Sequence, residues 1–138
     1  MATVINGTTG ITTDGLGVTG NTTVTGEVSI TGPSRGNITT LTDAATITPD
    51  LDNSDIFTVT LGGNRTMANP SNITAGQTGS IFIAQDGTGS RTLTWGSYWE
   101  FSTGTAPTLS TTASAVDRVD FIVRSTTSIQ AVFTADYS

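Results

Sequence analysis

The chain has 138 residues and a mass of 14.1 kDa, which is enough for one compact domain with an appendage and too little for two full domains. Thr occurs 31 times and Gly 16 times, whereas 12% of the residues are charged and 35% are apolar. Thr is β-branched and suits strands, and the residues that build long helices are scarce. The composition therefore predicts an all-β chain in which helices are nearly absent.

Three chemically important residue types are missing, because the chain has no His, no Cys and no Lys. Their absence excludes a thiolate nucleophile, a His general base, a Schiff-base lysine and a zinc site built from His or Cys. The net charge of −6 and the pI near 4.1 leave no basic patch for nucleic acid or for an anionic membrane surface. We therefore expect a protein that is not an enzyme, takes no cofactor or metal, and binds neither nucleic acid nor membrane.

Residues 1–36 differ in composition from the rest of the chain, since they hold eight of the 16 Gly and no aromatic residue. Gly recurs at positions 10, 15, 20, 26 and 32, with single apolar residues between Thr-rich turns. One interpretation is a flexible Gly/Thr linker. The other is an arm of short strands that folds when three copies wind together in a homotrimer. In that case the trimer contacts are Ile11, Leu16, Val18, Val24, Val28 and Ile30.

Residues 37–138 have the composition of a globular domain and contain all nine aromatic residues of the chain. Apolar and polar residues alternate in five segments, which predicts at least five strands separated by Gly, Asn, Asp and Ser turns. The turns at 86–89 and 125–128 are typical of hairpin connections. We expect an antiparallel, jelly-roll-like β-sandwich knob over 37–138, with an ordered loop over 102–114.

Three clusters are candidates for chemistry. Asp50, Asp52 and Asp55 form the first cluster and suggest a calcium site. The Gly and Glu of an EF-hand loop are missing, however, and the alternative is a turn that its own Asx side chains cap.

The second cluster is Asp117 and Asp120, which flank Arg118. Paired carboxylates can make a glycosidase. The simpler interpretation is a solvated strand face on which Arg118 pairs with Asp120.

The third cluster is a patch of aromatic residues that falls within seven positions: Trp95, Tyr98, Trp99 and Phe101. Aromatic rings fill cores and subunit interfaces, and they also stack on sugars. The patch is therefore a candidate for core or intersubunit packing, or for a glycan platform that includes Glu100.

Four segments together resemble a domain of tailed-bacteriophage and prophage virion proteins: 41–47, 57–67, 104–110 and, most specifically, QDGTGSRTLTW at 85–95. The opening INGTTGITT at 5–13 is also similar to the start of phage structural proteins. The resemblance implies a homotrimeric, all-β virion component, and it brings no catalytic residues. Because residues 1–30 do not have the pattern of a signal peptide and no apolar run is long enough to span a membrane, we expect synthesis in the host cytoplasm.

From the shortness of the chain we expect a capsid decoration, cement or short head-fibre protein, whose arm binds the major capsid protein or another virion protein. The alternative is a tail-fibre or receptor-binding knob that binds host surface polysaccharide through the aromatic patch. A third hypothesis, from a different class, is a polysaccharide depolymerase that works through carboxylates such as Asp52 and Glu100.

Overall fold

The computed structural model describes Thr23 and residues 25–137 of the protein. The chain divides into two units, Met1–Ser34 and Arg35–Ser138, and the fold described below is that of the second. Its residues form nine strands: β1 Ile38–Thr40, β2 Thr46–Ile47, β3 Ile56–Leu61, β4 Arg65–Met67, β5 Thr78–Gln85, β6 Leu93–Trp95, β7 Trp99–Phe101, β8 Val116–Ser125 and β9 Ser128–Thr134. The all-β prediction is confirmed: in the described part of the chain the helical content is one 3₁₀ turn, Ser102–Gly104, and no helix is long and apolar enough to cross a membrane.

The first six strands alternate between two sheets. β1, β3 and β5 lie side by side and parallel in a large sheet, and β2, β4 and β6 do the same in a small sheet. After each strand the chain crosses to the opposite sheet, forms one strand there and crosses back. Successive strands of one sheet therefore run in the same direction. These residues therefore form three stacked coils, each built from one strand of either sheet.

The large sheet continues beyond β5 with different strand directions. β8 pairs antiparallel with β5, and β9 pairs antiparallel with β8. β7 is the last strand and pairs parallel with β9. The order of strands in the large sheet is β1-β3-β5-β8-β9-β7. The turn at 125–128 is a hairpin connection, as predicted. The turn at 86–89 instead takes the chain from the large sheet to the small one.

The mixed strand directions correct the antiparallel, jelly-roll-like part of the prediction. Alternation of apolar and polar residues reports which face of a strand is buried, and it is the same for parallel and antiparallel neighbours. The direction of pairing depends on where each turn sends the chain. Short Gly-rich turns at 62–64 and 86–89 are compatible with a hairpin and also with a crossing between sheets.

The core lies between the two sheets and is made of the inward side chain of every second residue. Phe57, Val59 and Leu61 on β3 lie beside Ile81 and Ile83 on β5, in register and almost completely buried. Other strands add Met67, Leu93, Trp99, Val119, Phe121, Val123 and Ile129. Burial of each large apolar side chain contributes about 1.5–3 kcal/mol, which makes this layer the main source of stability.

Asp117 is the charged residue buried in this apolar layer among the described residues, with 1% of its surface exposed. Its carboxylate accepts hydrogen bonds from the Ser110 backbone N–H at 2.8 Å, the Ser110 hydroxyl at 2.6 Å and the Asp136 N–H at 2.9 Å. It thereby ties the loop before β8 and the C-terminal segment to the core. The prediction of a solvated strand face is correct for Arg118 and Asp120 and wrong for Asp117, because alternation along β8 turns Asp117 inward.

Replacing Asp117 tests this internal anchor. We expect Asp117→Asn to lower the free energy of unfolding by about 2–3 kcal/mol, because an amide N–H₂ then faces N–H and O–H donors that need an acceptor. Urea unfolding followed by tryptophan fluorescence measures the change. Asp55→Asn, at an exposed position, is the control and should change stability by less than about 0.5 kcal/mol; equal effects of the two substitutions would contradict the anchoring role.

Two Arg–Asp pairs fasten the corners where the chain passes between the sheets. Arg65 donates to both carboxylate oxygens of Asp43 at 2.7 Å, and Arg91 donates to Asp86 at 2.7 and 3.1 Å. Asp86 also accepts from the backbone N–H groups of Thr88 and Gly89. The Arg91 guanidinium, helped by these two N–H donors, lowers the pKa of Asp86 from 3.8 to about 2.

This lowered pKa predicts a defined pH dependence of stability. The contribution of the Asp86 carboxylate is fully present above about pH 4 and is lost as pH falls through about 2, because the unfolded chain then binds the proton more readily than the folded one. Asp86→Asn keeps an acceptor for the turn and removes the charge. Thermal melting at pH 6 and pH 2 should show a difference between the wild-type protein and Asp86→Asn that shrinks at pH 2. The Asp52→Asn control should show no such change.

Candidate ligand-binding cleft

A tight turn brings the aromatic patch together at the end of both sheets. Trp95 is the last residue of β6 in the small sheet, and Trp99 opens β7 in the large sheet. Gly96 between them lies against Asn69, so closely that a side chain at position 96 would collide with it. The Asn69 amide oxygen accepts the Tyr98 backbone N–H at 2.9 Å. These contacts fix the direction in which each ring points.

The rings pack edge to face. Trp95 and Trp99 have centroids 5.3 Å apart, Trp95 and Phe101 are 4.9 Å apart, and Trp99 reaches Phe121 at 5.8 Å. Trp99 is 6% exposed and donates its indole N–H to the Ala68 carbonyl at 3.0 Å. Core packing therefore accounts for Trp99. Trp95, Tyr98 and Phe101 are half-buried against the same core.

A cleft of about 360 Å³ opens over the half-buried rings. Its walls come from the end of β6, the turn, β7 and the loop after it: Trp95, Gly96, Ser97, Trp99, Glu100, Phe101, Gly104 and Ala106. Ser97, Glu100 and Ala106 are exposed. The aromatic residues and Glu100 were predicted from the sequence, whereas Gly104 and Ala106 were not. These two line the cleft because the loop at 102–106 turns through the left-handed backbone of Thr103 and Gly104.

Two polar groups at the cleft have no hydrogen-bond partner among the described residues. The indole N–H of Trp95 is buried and unpaired. The Glu100 carboxylate, exposed on β7, makes no hydrogen bond or ion pair with any described residue. A cleft that combines aromatic rings with a free carboxylate and a hydroxyl has the chemistry that sugar rings require, because C–H faces stack on aromatic rings and sugar hydroxyls donate to carboxylates.

In the acidic cluster at 50–55, Asp50 caps its own turn and also joins it to the segment that contains Asn72. Asp50 accepts hydrogen bonds from the Asp52 backbone N–H at 3.1 Å, from the Asn53 amide at 3.2 Å and from the Asn72 amide at 2.7 Å. This is the capping arrangement that the sequence offered as the alternative to calcium. Within the described residues, no three His, Cys, Asp or Glu side chains converge in a way that could hold a metal ion.

The six residues predicted to make trimer contacts in the arm fall in the first unit of the chain. Val28 and Ile30 are 63% and 61% exposed within that unit. Ile11, Leu16, Val18 and Val24 lie outside the described residues. The homotrimer of arms therefore stays a prediction.

Comparison with protein families matches residues 47–128 to the family described as "Putative phage tail fibre C-terminal domain". The match covers more than half of the chain and includes β3 to β8 and the whole cleft. The chain therefore belongs to this family and is a structural component of a phage virion. Comparisons with curated proteins and with solved structures give no match. The family specifies a fibre and does not specify the capsid surface.

The two tryptophans should respond differently to the same substitution. Trp99→Phe removes the N–H that satisfies the Ala68 carbonyl, whereas Trp95→Phe removes an N–H that has no partner. We expect the free energy of unfolding to fall by about 1–2 kcal/mol more for Trp99→Phe than for Trp95→Phe. Urea unfolding measures both, and a larger loss for Trp95→Phe would show that its indole N–H is satisfied in solution.

Proposed function

We propose that this protein is the receptor-binding knob of a phage tail fibre and that it binds host surface polysaccharide in the cleft over Trp95 and Phe101. The family match supports a fibre component. The observation that carries the ligand assignment is the cleft itself, whose lining combines half-buried aromatic rings with Glu100, a residue that has no ion-pair partner among the described residues.

The acidic charge of the chain and of the cleft indicates which kind of polysaccharide could bind. The chain has a net charge of −6, and the only ionisable side chain in the cleft wall is the acidic Glu100. Arg118, on the same large sheet, is already paired with Asp120 at 2.8 Å. An anionic glycan would meet repulsion here without a cation to offset it. The proposed ligand is therefore a neutral or amine-bearing polysaccharide.

The tail-fibre proposal replaces the expectation of a capsid decoration or cement protein. That expectation came from chain length, and the family match supports a fibre without supporting a position on the head. In the proposed assembly the N-terminal arm joins three copies and attaches them to another virion protein, and the knob faces the host.

The proposed activity is binding without cleavage. Asp52 lies in the turn after Asp50 and Glu100 lies on β7, and neither takes part in an ion pair with the described residues. Hydrolysis by carboxylates needs two of them to flank one glycosidic bond. We expect no release of reducing sugars, and a release abolished by Asp52→Asn or Glu100→Gln would overturn this part of the proposal.

Filling the cleft tests the ligand assignment. Ala106→Trp places a large ring in the cleft from an exposed loop position without removing a core contact. We expect this variant and Phe101→Ala to reduce binding to host cells and to purified surface polysaccharide at least tenfold, measured by fluorescence-labelled pull-down and by isothermal titration.

The matched control is Tyr137→Ala, which removes an aromatic ring that is exposed and does not line the cleft. It should leave binding unchanged. Binding that survives Ala106→Trp would refute the cleft as the site. Binding to capsids and not to host cells would refute the tail-fibre role and return the decoration hypothesis.

A further inference from the structure

A second groove lies beside the cleft, on the outward face of the large sheet. It has a volume of about 470 Å³ and is lined from β7, β8 and β9, the three strands that end the sheet. The outward side chains in its lining are those of Glu100, Asp120, Ile122, Gln130 and Val132. The groove and the cleft each have the size of a site for a small ligand.

The strand register arranges the groove residues in two rows across the sheet. Glu100 on β7 lies beside Gln130 on β9, and Gln130 lies beside Ile122 on β8. In the next outward row, Val132 lies beside Asp120. Three neighbouring strands span about 10 Å, which is twice the spacing between strands. The groove therefore has room for more than one sugar ring.

The groove adjoins the cleft at β7, because Glu100 and Phe101 line both. β7 is the edge strand of the large sheet, so a ligand can reach its side chains from either side of the sheet. A third depression, of about 200 Å³, also has Phe101 in its wall and shares Ser102 and Val132 with the groove. The three depressions therefore meet around one edge strand.

The groove offers the same kinds of contact as the cleft. Ile122 and Val132 are 57% and 65% exposed and present aliphatic surface to the C–H faces of sugar rings. The exposed Gln130 amide can both donate to and accept from sugar hydroxyls. Asp120 already pairs with Arg118 at 2.8 Å, whereas Glu100 has no ion-pair partner among the described residues. A neutral or amine-bearing sugar chain is therefore compatible with both depressions.

We propose that the groove continues the glycan site, so that the protein binds an internal stretch of a polysaccharide with successive sugar units in the cleft and in the groove. This inference rests on the function proposed for the cleft. Two separate ligands would compete for Glu100 and Phe101, whereas one chain that bends around β7 contacts them once. The ligand is therefore an extended chain and not a single terminal sugar.

Polysaccharide fragments of graded length test the proposal with the full protein chain. Purified host surface polysaccharide is partly hydrolysed, separated by size and titrated calorimetrically. We expect the affinity to rise at least tenfold from the shortest fragments that bind to those that fill both depressions, because the units in the groove then bind intramolecularly.

Filling each depression separately shows where the extra units bind. Gln130→Trp places a ring in the groove from an exposed position, and it should remove the gain with length while leaving the affinity for the shortest fragments unchanged. Ala106→Trp should weaken the binding of fragments of every length. The matched control is Thr60→Trp, at an exposed outward position of β3 that does not line the groove, and it should bind like the wild-type protein. Melting curves check that the three variants fold.

A fluorescent label reports occupancy of the groove independently of affinity. Because the chain has no Cys, Thr134→Cys provides a single thiol for a solvent-sensitive dye, outward on β9 and two residues beyond Val132. Long fragments should change the emission of this dye, and the shortest fragments should not. The same dye on Thr60→Cys should respond to neither.

The possible failures of the two proposals are distinguishable. Affinity that does not depend on fragment length, a gain with length that survives Gln130→Trp, or equal responses of the two labels would each overturn the extension into the groove and leave the cleft as a complete site. Failure of the wild-type protein to bind fragments of any length would refute both the function proposed for the cleft and its extension.

Discussion

The need to close one end of a stack of parallel strands governs this structure. Alternation between two sheets leaves β5 and β6 as edges with unpaired backbone groups, and an uncovered edge exposes hydrogen-bonding groups and core alike. The chain covers the β5 edge with β8, β9 and β7, which extend the large sheet past the end of the small one and leave the three-residue strand β7 as its new edge. The space that remains under this extension is filled by Trp99 and Phe121, packed edge to face.

The candidate cleft is a consequence of that closure. The turn from β6 to β7 must carry the chain from the small sheet to the far edge of the large one, and it places Trp95, Trp99 and Phe101 where the two sheets end. Trp99 lies deepest and is part of the core, whereas Trp95 and Phe101 are only partly buried. The residues of the proposed site are thereby held by core packing on short strands, which would give a preformed site with little entropy to lose on binding.

Several aspartate side chains hold particular parts of the fold together. Asp43, Asp86 and Asp117 are committed to hydrogen bonds that hold corners and loops, and Asp50 caps its own turn. Glu100 is the one charged residue that lines the cleft, so the cleft combines apolar contact with sparse polar contacts. The family of the chain is that of a phage tail fibre domain, which is a structural class of protein.

Local patterns were enough to predict the strand content, the aromatic core and several strand positions. Thr and β-branched residues with period-two alternation place β3, β5, β8 and β9 correctly, since side chains in any strand alternate between its faces. The same alternation gave the Arg118–Asp120 pair. Asp117 was misjudged because alternation identifies two faces without saying which one the protein buries.

Tertiary structure alone decided the strand directions, the membership of each sheet and the shape of the cleft. The residues of a short polar turn do not indicate whether the turn forms a hairpin or carries the chain between sheets. Here the turns cross between sheets, and the strands β1, β3 and β5 of one sheet and β2, β4 and β6 of the other are therefore parallel. Ala106 and Ser97 reach the aromatic rings only because distant elements, such as Asn69, fix the turn between β6 and β7. The sequence by itself determined which residues share a face of each strand, because side chains alternate between the faces, and the packing of distant segments determined which face is buried and where those residues meet.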